Sequence, residues 1–278
     1  MKPLRNFVVL VSFFIVSFRT GDYNLIKSFP INGTFLTTDH FSNCYLISDN
    51  QLMEYDSTGK YLANYSDKDL GGMYSIDASN PMKLQLFYRD FGQIVTLDNK
   101  LAFITKINLR DLDIQQPIVM CNSYNDAVWV YDQQDFQLKR IESTAQISQA
   151  SGNISQVLGY DLKPIYMVED NKWLYMNDPE SGIIIFDYYG SYYKTIPIKN
   201  IVSFQIIDNR LVYYKENKFI SYDMKSFEEK NISLPNDTAM TIYPRLEKRR
   251  LYMLEKGKVA LFSFLTMMVT NFKCSLAI

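Results

Sequence analysis

The chain has 278 residues and a formal net charge of −1 at pH 7, so no basic field points to nucleic acid or to an anionic membrane surface. Aromatic residues make up 15%, led by 21 Tyr and 18 Phe, against only 11 Gly; this suits half-buried pleated surfaces whose turns are made by Asn, Asp and Ser. Three cysteines, Cys44, Cys121 and Cys274, are too few and too odd in number for a disulfide framework, and the apolar neighbours of Cys44 and Cys121 predict buried free thiols.

In chain order, Lys2 and Arg5 come first, followed by an apolar run from Phe7 to Phe18. That length fits a signal-peptide core and is too short to span a bilayer. The expectation is a signal peptide over residues 1–21 and export to the periplasm or the cell surface. An uncleaved N-terminal anchor is the alternative. From residue 22 to 278 a single domain is expected. Tyr23 to Ile31 reads as an outer strand without a blade of its own.

Six apolar strands then recur, and five of them end in aspartate: Asp56, Asp98, Asp132, Asp187 and Asp223. The sixth, Val259 to Ser263, carries serine at that position. The spacings are about 42, 34, 55, 36 and 40 residues, roughly 41 on average. That is the period of a four-stranded propeller blade. Each repeat has an apolar strand, a polar turn, the strand that ends in aspartate, a second turn and an outer strand. Asp56-Ser57-Thr58-Gly59 and Asp187-Tyr188-Tyr189-Gly190 suit tight hairpins, because the carboxylate accepts from backbone N–H groups two residues on. The five aspartates are therefore expected to be structural hairpin residues rather than catalytic ones.

Two stretches leave the pattern. The gap between Asp132 and Asp187 predicts an insertion of about 10 to 15 residues near 142–159, as a long loop or a short helix. The tail, 265–278, keeps no repeat signature. The last repeat lacks an outer strand, so pairing it with Tyr23 to Ile31 closes the ring and removes two exposed edges. The predicted fold is all-β: a six-bladed β-propeller of four-stranded antiparallel blades, closed by the N-terminal strand.

This grammar, with strand-Tyr-Asp-x-x-Gly turns behind an apolar N-terminus, resembles the six-bladed β-propeller proteins of the Bacteroidota cell envelope, within the wider NHL-type and TolB-type group. The resemblance covers roughly residues 23 to 264. It implies an exported binding or scaffolding module, monomeric, with a protein, peptide or glycan partner of the envelope. An accessory subunit of an outer-membrane secretion channel is one such role. The sequence departs from the enzymatic six-bladed propellers, and the competing reading is a calcium-dependent hydrolase or lactonase-like enzyme with a metal on the axis. Calcium takes six to eight oxygen ligands. The axial candidates are Asp39, His40, Asp77, Glu169, Asp170 and Asp208, each ahead of its blade's middle strands. Against catalysis, His40 is the one histidine of the chain, and no Gly-x-Ser-x-Gly, His-Glu-x-x-His or phosphate-loop motif is present. The leading expectation is a binding module without catalytic residues or cofactor.

Overall fold

A computed structural model describes residues 23–235 and 241–264. The predicted signal peptide, the tail 265–278 and Cys274 lie outside the described residues. Strand β1 (Tyr23–Pro30) comes first. The first blade is β2 (Gly33–Thr38), β3 (Cys44–Ser48), β4 (Gln51–Tyr55) and β5 (Tyr61–Tyr65); the second is β6 (Ser75–Asp77), β7 (Leu84–Tyr88), β8 (Gln93–Leu97) and β9 (Phe103–Asn108). The third is β10 (Pro117–Asn122), β11 (Val128–Asp132), β12 (Gln137–Ile141) and β13 (Ile147–Ala150), and a short helix, α1 (Ile154–Leu158), leads out of it. The fourth is β14 (Tyr166–Asp170), β15 (Trp173–Asp178), β16 (Gly182–Phe186) and β17 (Tyr192–Ile196); the fifth is β18 (Phe204–Ile207), β19 (Arg210–Lys215), β20 (Lys218–Asp223) and β21 (Glu229–Ile232). The sixth is β22 (Thr241–Glu247), β23 (Arg250–Glu255) and β24 (Lys258–Phe264), completed by β1.

The six sheets each hold four antiparallel strands, and the chain forms a six-bladed β-propeller. Closure follows the sequence reading. Strand β1 pairs with β24 from Tyr23↔Phe264 to Pro30↔Lys258, with a bulge between Leu25 and Lys27. The second and third strands are buried on both faces because each blade is sandwiched between two others. Leu84–Tyr88 and Gly182–Phe186 are buried at every position. The outer strands face solvent on the rim, as in Phe103–Asn108.

One register differs from the sequence reading. Asp56, Asp98 and Asp187 follow the third strands of their blades and Asp223 ends one, but Asp132 ends β11, a second strand. The equivalent of Asp56 in the third blade is Glu142. Glu142 N donates to Gln146 O and Ala145 N to Glu142 O, repeating the Asp56–Lys60 and Gly59–Asp56 bonds. With Glu142 in the series the spacings become about 42, 44, 45 and 36 residues. The apparent insertion at 142–159 is therefore mostly a hairpin turn and the blade's own outer strand, β13. What remains is a longer linker: residues 151–165, carrying α1, are 15 against seven to nine in the linkers that follow β5, β9 and β17.

The reason lies in β12. Its Lys139 and Arg140 are 6% and 4% exposed, so the strand looks polar in sequence yet sits in the core. Lys139 Nζ lies 2.8 Å from Asp132 and 2.5 Å from Asp135. Arg140 donates to Ser123 Oγ and to Tyr124 O, pairs with Glu142, and stacks over the Tyr124 ring at 4.2 Å. Buried charges survive when paired and hydrogen-bonded.

Candidate functional site

In an antiparallel meander the first and third connections lie at one end of the blade. The hairpin aspartates therefore share one face of the disk with the turns after the innermost strands. The linkers between blades open on the other face. The innermost strands β2, β6, β10, β14 and β22 line a common axial cavity.

The hairpin aspartates fasten their own turns. Asp56 Oδ1 accepts from Thr58 N and Lys60 N, Asp98 Oδ1 from Lys100 N and Ala102 N, and Asp187 Oδ1 from Tyr189 N and Ser191 N. Asp223 does the same for Lys225 N and Ser226 N and pairs with Arg210 at 2.7 Å. These N–H donors hold Asp98 and Asp223 below the usual carboxylate range. Asp132 serves the other kind of hairpin, accepting from Gln134 N and from Gln116 N in the linker. Asp178 is its counterpart in the fourth blade, accepting from Glu180 N, Ser181 N and Lys163 N.

The axial candidates separate. Asp39 is 1% exposed, and its carboxylate accepts from Phe41 N, Asn43 N, Asn43 Nδ2 and the Tyr45 hydroxyl. His40 is exposed at the same turn against Phe41. Asp208 is exposed in the turn after β18, with φ +48°. Asp170 is half-buried, accepts from Asn171 Nδ2, and burial raises its carboxyl. Glu169 bridges blades, accepting from Ser123 Oγ at 2.6 Å and Trp129 Nε1 at 3.0 Å. Among these candidates Asp77 alone lines the axial cavity. Its carboxylate is occupied by Ser79 N, Asn122 N and Asn122 Nδ2 at 2.8 to 3.0 Å. Among the described residues no three His, Cys, Asp or Glu side chains come together as a metal-binding group. Cys44 and Cys121 are free and buried, and burial pushes both thiols up, Cys44 to about 12.

The channel itself is made by residues outside that set. Its mouth opens on the linker face as a cavity of about 460 Å³, walled by Phe35, Met73, Tyr74, Ile165, Tyr166, Val202 and Tyr243 among others. Phe35 and Tyr243 pack with centroids 5.7 Å apart, and the Tyr74 hydroxyl reaches across the axis to Ile165 O at 3.5 Å. Burial raises the Tyr243 hydroxyl to about 12. Deeper, a cavity of about 110 Å³ shares Phe35, Tyr74, Ile165 and Tyr166 with the mouth and adds Thr37, Thr38, Asp77 and Arg245. Arg245 lies on β22, two residues from Tyr243 and Glu247 and so on the same face of the strand. The sequence offered one signal for it: a cation inside the apolar stretch Ile242-Tyr243-Pro244-Arg245-Leu246.

Two carboxyls raised by burial make stability depend on pH. Glu54 is 3% exposed, and burial pushes its carboxyl up to about 7; its Oε1 lies 3.3 Å from the Tyr45 hydroxyl, which donates its proton to Asp39 at 3.0 Å. Glu247 is also raised to about 7 by burial, against the opposing charges of Arg245 and Lys248. The unfolded chain releases these protons near the ordinary value, 4.5. The folded chain keeps them until about 7, so stability is full at low pH, falls as pH rises from about 4.5 to about 7, and is flat above. Glu54→Gln keeps a neutral hydrogen-bonding group of the same shape beside the Tyr45 hydroxyl and removes this loss. Urea unfolding is expected to show the variant more stable than the wild type by about 2–3 kcal/mol near pH 8 and equal to it near pH 4. Equal stability at both pH values would show that Glu54 is already ionised in the fold.

No protein-family model matches the sequence, and no curated protein matches it. Solved structures of similar shape include virginiamycin B lyase from Staphylococcus aureus, 12% identical, with a TM-score of 0.63 over 88% of this chain and 100% of that one. BamB from Moraxella catarrhalis is 10% identical, with a TM-score of 0.51 over 87% of this chain and 98% of that one. The extracellular domain of a one-component system from B. thetaiotaomicron is 14% identical, with a TM-score of 0.53 over 81% of this chain and 32% of that one. At these identities the likeness establishes the propeller fold and no more. No helix among the described residues is long and apolar enough to cross a membrane.

Proposed function

We propose that the protein is an exported β-propeller binding module that receives a protein or peptide partner of the cell envelope at the axial mouth on its linker face. The observation that carries this reading is the mouth: an aromatic-walled opening in which Ile165 and Val202 are 37% and 48% exposed, leading down to a polar cavity with one arginine. Pockets of this kind, apolar walls with a few convergent polar groups, are where ligands bind. Export rests on Lys2, Arg5 and the apolar run from Phe7 to Phe18.

The similar solved structures include a lyase, so the scaffold itself is compatible with catalysis. An axial calcium enzyme remains the competing reading. The two separate in one set of experiments. A photo-crosslinking side chain at Val202, at the mouth, is expected to trap a defined partner in cells, whereas the same group at Tyr193, on the outer strand β17, is not. Calcium is expected to leave the melting temperature where a chelator leaves it. Trapping at Tyr193 but not Val202 would move the binding surface to the rim, and a stoichiometric calcium-dependent rise in melting temperature would favour the enzyme.

A further inference from the structure

The cavity beneath the mouth holds a cation with bonding capacity to spare. A guanidinium carries five N–H donors in a planar fork. Among the described residues Arg245 Nε is buried without a hydrogen-bond partner, and no carboxylate lies within ion-pair distance of Arg245. The charge does reach the Tyr166 hydroxyl, on which it acts by hydrogen bond and by attraction, although burial still raises that phenol. Thr38, 6% exposed, lines the same cavity from the adjoining first blade, and its buried Oγ1 also has no partner. Arg245 and Thr38 therefore present two unmet polar groups to one small space. Leaving such groups unpaired is expensive, and a ligand that meets them recovers that cost.

The sign of a complementary ligand follows from the donors. Arginine only donates, and a hydroxyl can donate, so the complement is an acceptor, best an anion with two oxygens to match the guanidinium fork. Asp77 lines the same cavity and keeps its charge, but among the described residues it forms no ion pair with Arg245, and Ser79 N, Asn122 N and Asn122 Nδ2 hold its carboxylate in place. The inner cavity of about 110 Å³ has room for a carboxylate, while the mouth above it is walled by Phe35, Tyr74, Tyr166 and Tyr243.

We propose that the axial channel binds a carboxylate carried on an aromatic or apolar body, with Arg245 and Thr38 taking the carboxylate and the mouth taking the body. This rests on the mouth being the binding site. The C-terminal residue of a peptide and a free aromatic acid share this chemistry, and the test distinguishes them.

Calorimetric titration of the purified protein would use the tripeptide Ala-Ala-Phe with a free C-terminus, the same tripeptide as its C-terminal amide, and 3-phenylpropionate. The acid peptide is expected to bind at least about tenfold more tightly than the amide, since only the acid meets the guanidinium. Arg245→Met, similar in length and uncharged, is expected to lose about tenfold or more for the acids, Arg245→Lys less, and Thr38→Val a few-fold. Peptide binding well above that of 3-phenylpropionate identifies a chain terminus; equal binding identifies the free acid. If Arg245→Met does not fold, the acid-to-amide comparison on the wild type decides alone. Acid and amide binding equally, with both lost in Val202→Asp, would overturn the carboxylate assignment while leaving the mouth as the site. No binding of either acid at about millimolar concentration would overturn it as well, and the crosslinking at Val202 would then judge the mouth separately.

Discussion

Removal of residues 1–31 is expected to leave a chain that does not fold to a soluble monomer. Strand β1 is the outer strand of the sixth blade and also its fastening to the first. Ile26, Phe29 and Ile31 pack on the cluster of Leu36, Cys44, Leu46, Leu254, Val259 and Leu261, which draws on both blades. Phe29 stacks on Tyr55 at 4.6 Å, and Lys27 Nζ donates to Gly59 O at 2.8 Å, both in the first blade. Tyr23 donates to Ser233 O and packs edge-on against Phe262 and Phe264. Losing the burial of these side chains costs about 5 kcal/mol or more, comparable with the whole stability of many domains. The bared backbone of β24 would also become a free sheet edge, which invites association. The measurement is size-exclusion chromatography with circular dichroism of the truncated chain, with and without a synthetic peptide of residues 22–32. Aggregation without the peptide and recovery of a monomeric β spectrum with it is the expected result. A truncated chain that melts like the full one would show that closure does not depend on β1.

Trp129→Ala is expected to be the most damaging single substitution. The indole is 0% exposed and sits among Cys121, Tyr131, Leu138, Met167, Leu174 and Met176, where the third blade packs on the fourth. Truncation leaves a cavity in a close-packed layer, at a cost of about 3–5 kcal/mol. The Nε1–H bond to Glu169 is lost with it, adding about 1–2 kcal/mol. Trp129→Phe separates the two terms, because it keeps most of the volume and removes the donor; it is expected to cost about 1–2 kcal/mol. Denaturant midpoints of the two variants check both values. A loss of under about 1 kcal/mol in Trp129→Ala would mean that the blades do not pack on this ring as described.

Much of the fold was legible because the apolar strands repeat and because tight hairpins have a chemical signature. Tyr23 to Ile31 could be placed as the closing strand since it matched an outer strand and stood alone. The third blade was harder. Val128-Trp129-Val130-Tyr131-Asp132 imitates the strand-plus-aspartate unit, while the true equivalent, Gln137 to Ile141 before Glu142, hides behind Lys139 and Arg140. Those charges read as a solvated strand until Asp132, Asp135 and Ser123 are seen to satisfy them.

The site was less legible than the fold, for a related reason. Acidic residues ahead of the middle strands are visible in sequence, but hydrogen bonding within a turn consumes Asp39, and bonding to the next blade consumes Asp77. What makes Arg245 distinctive is that among the described residues its Nε has no partner and no carboxylate pairs with it, which depends on which blades face it across the axis. A residue's partners within its own turn can be read locally; its partners across a closed ring cannot.

The most direct test of the account is a crystal structure of the protein soaked with Ala-Ala-Phe. The expected result is six blades closed by β1, the terminal carboxylate against Arg245 and Thr38, and the phenyl ring among Tyr74, Tyr166 and Tyr243. An open ring, or a peptide seated on the outer strands or at the aspartate hairpins with the axial cavity untouched, would contradict it.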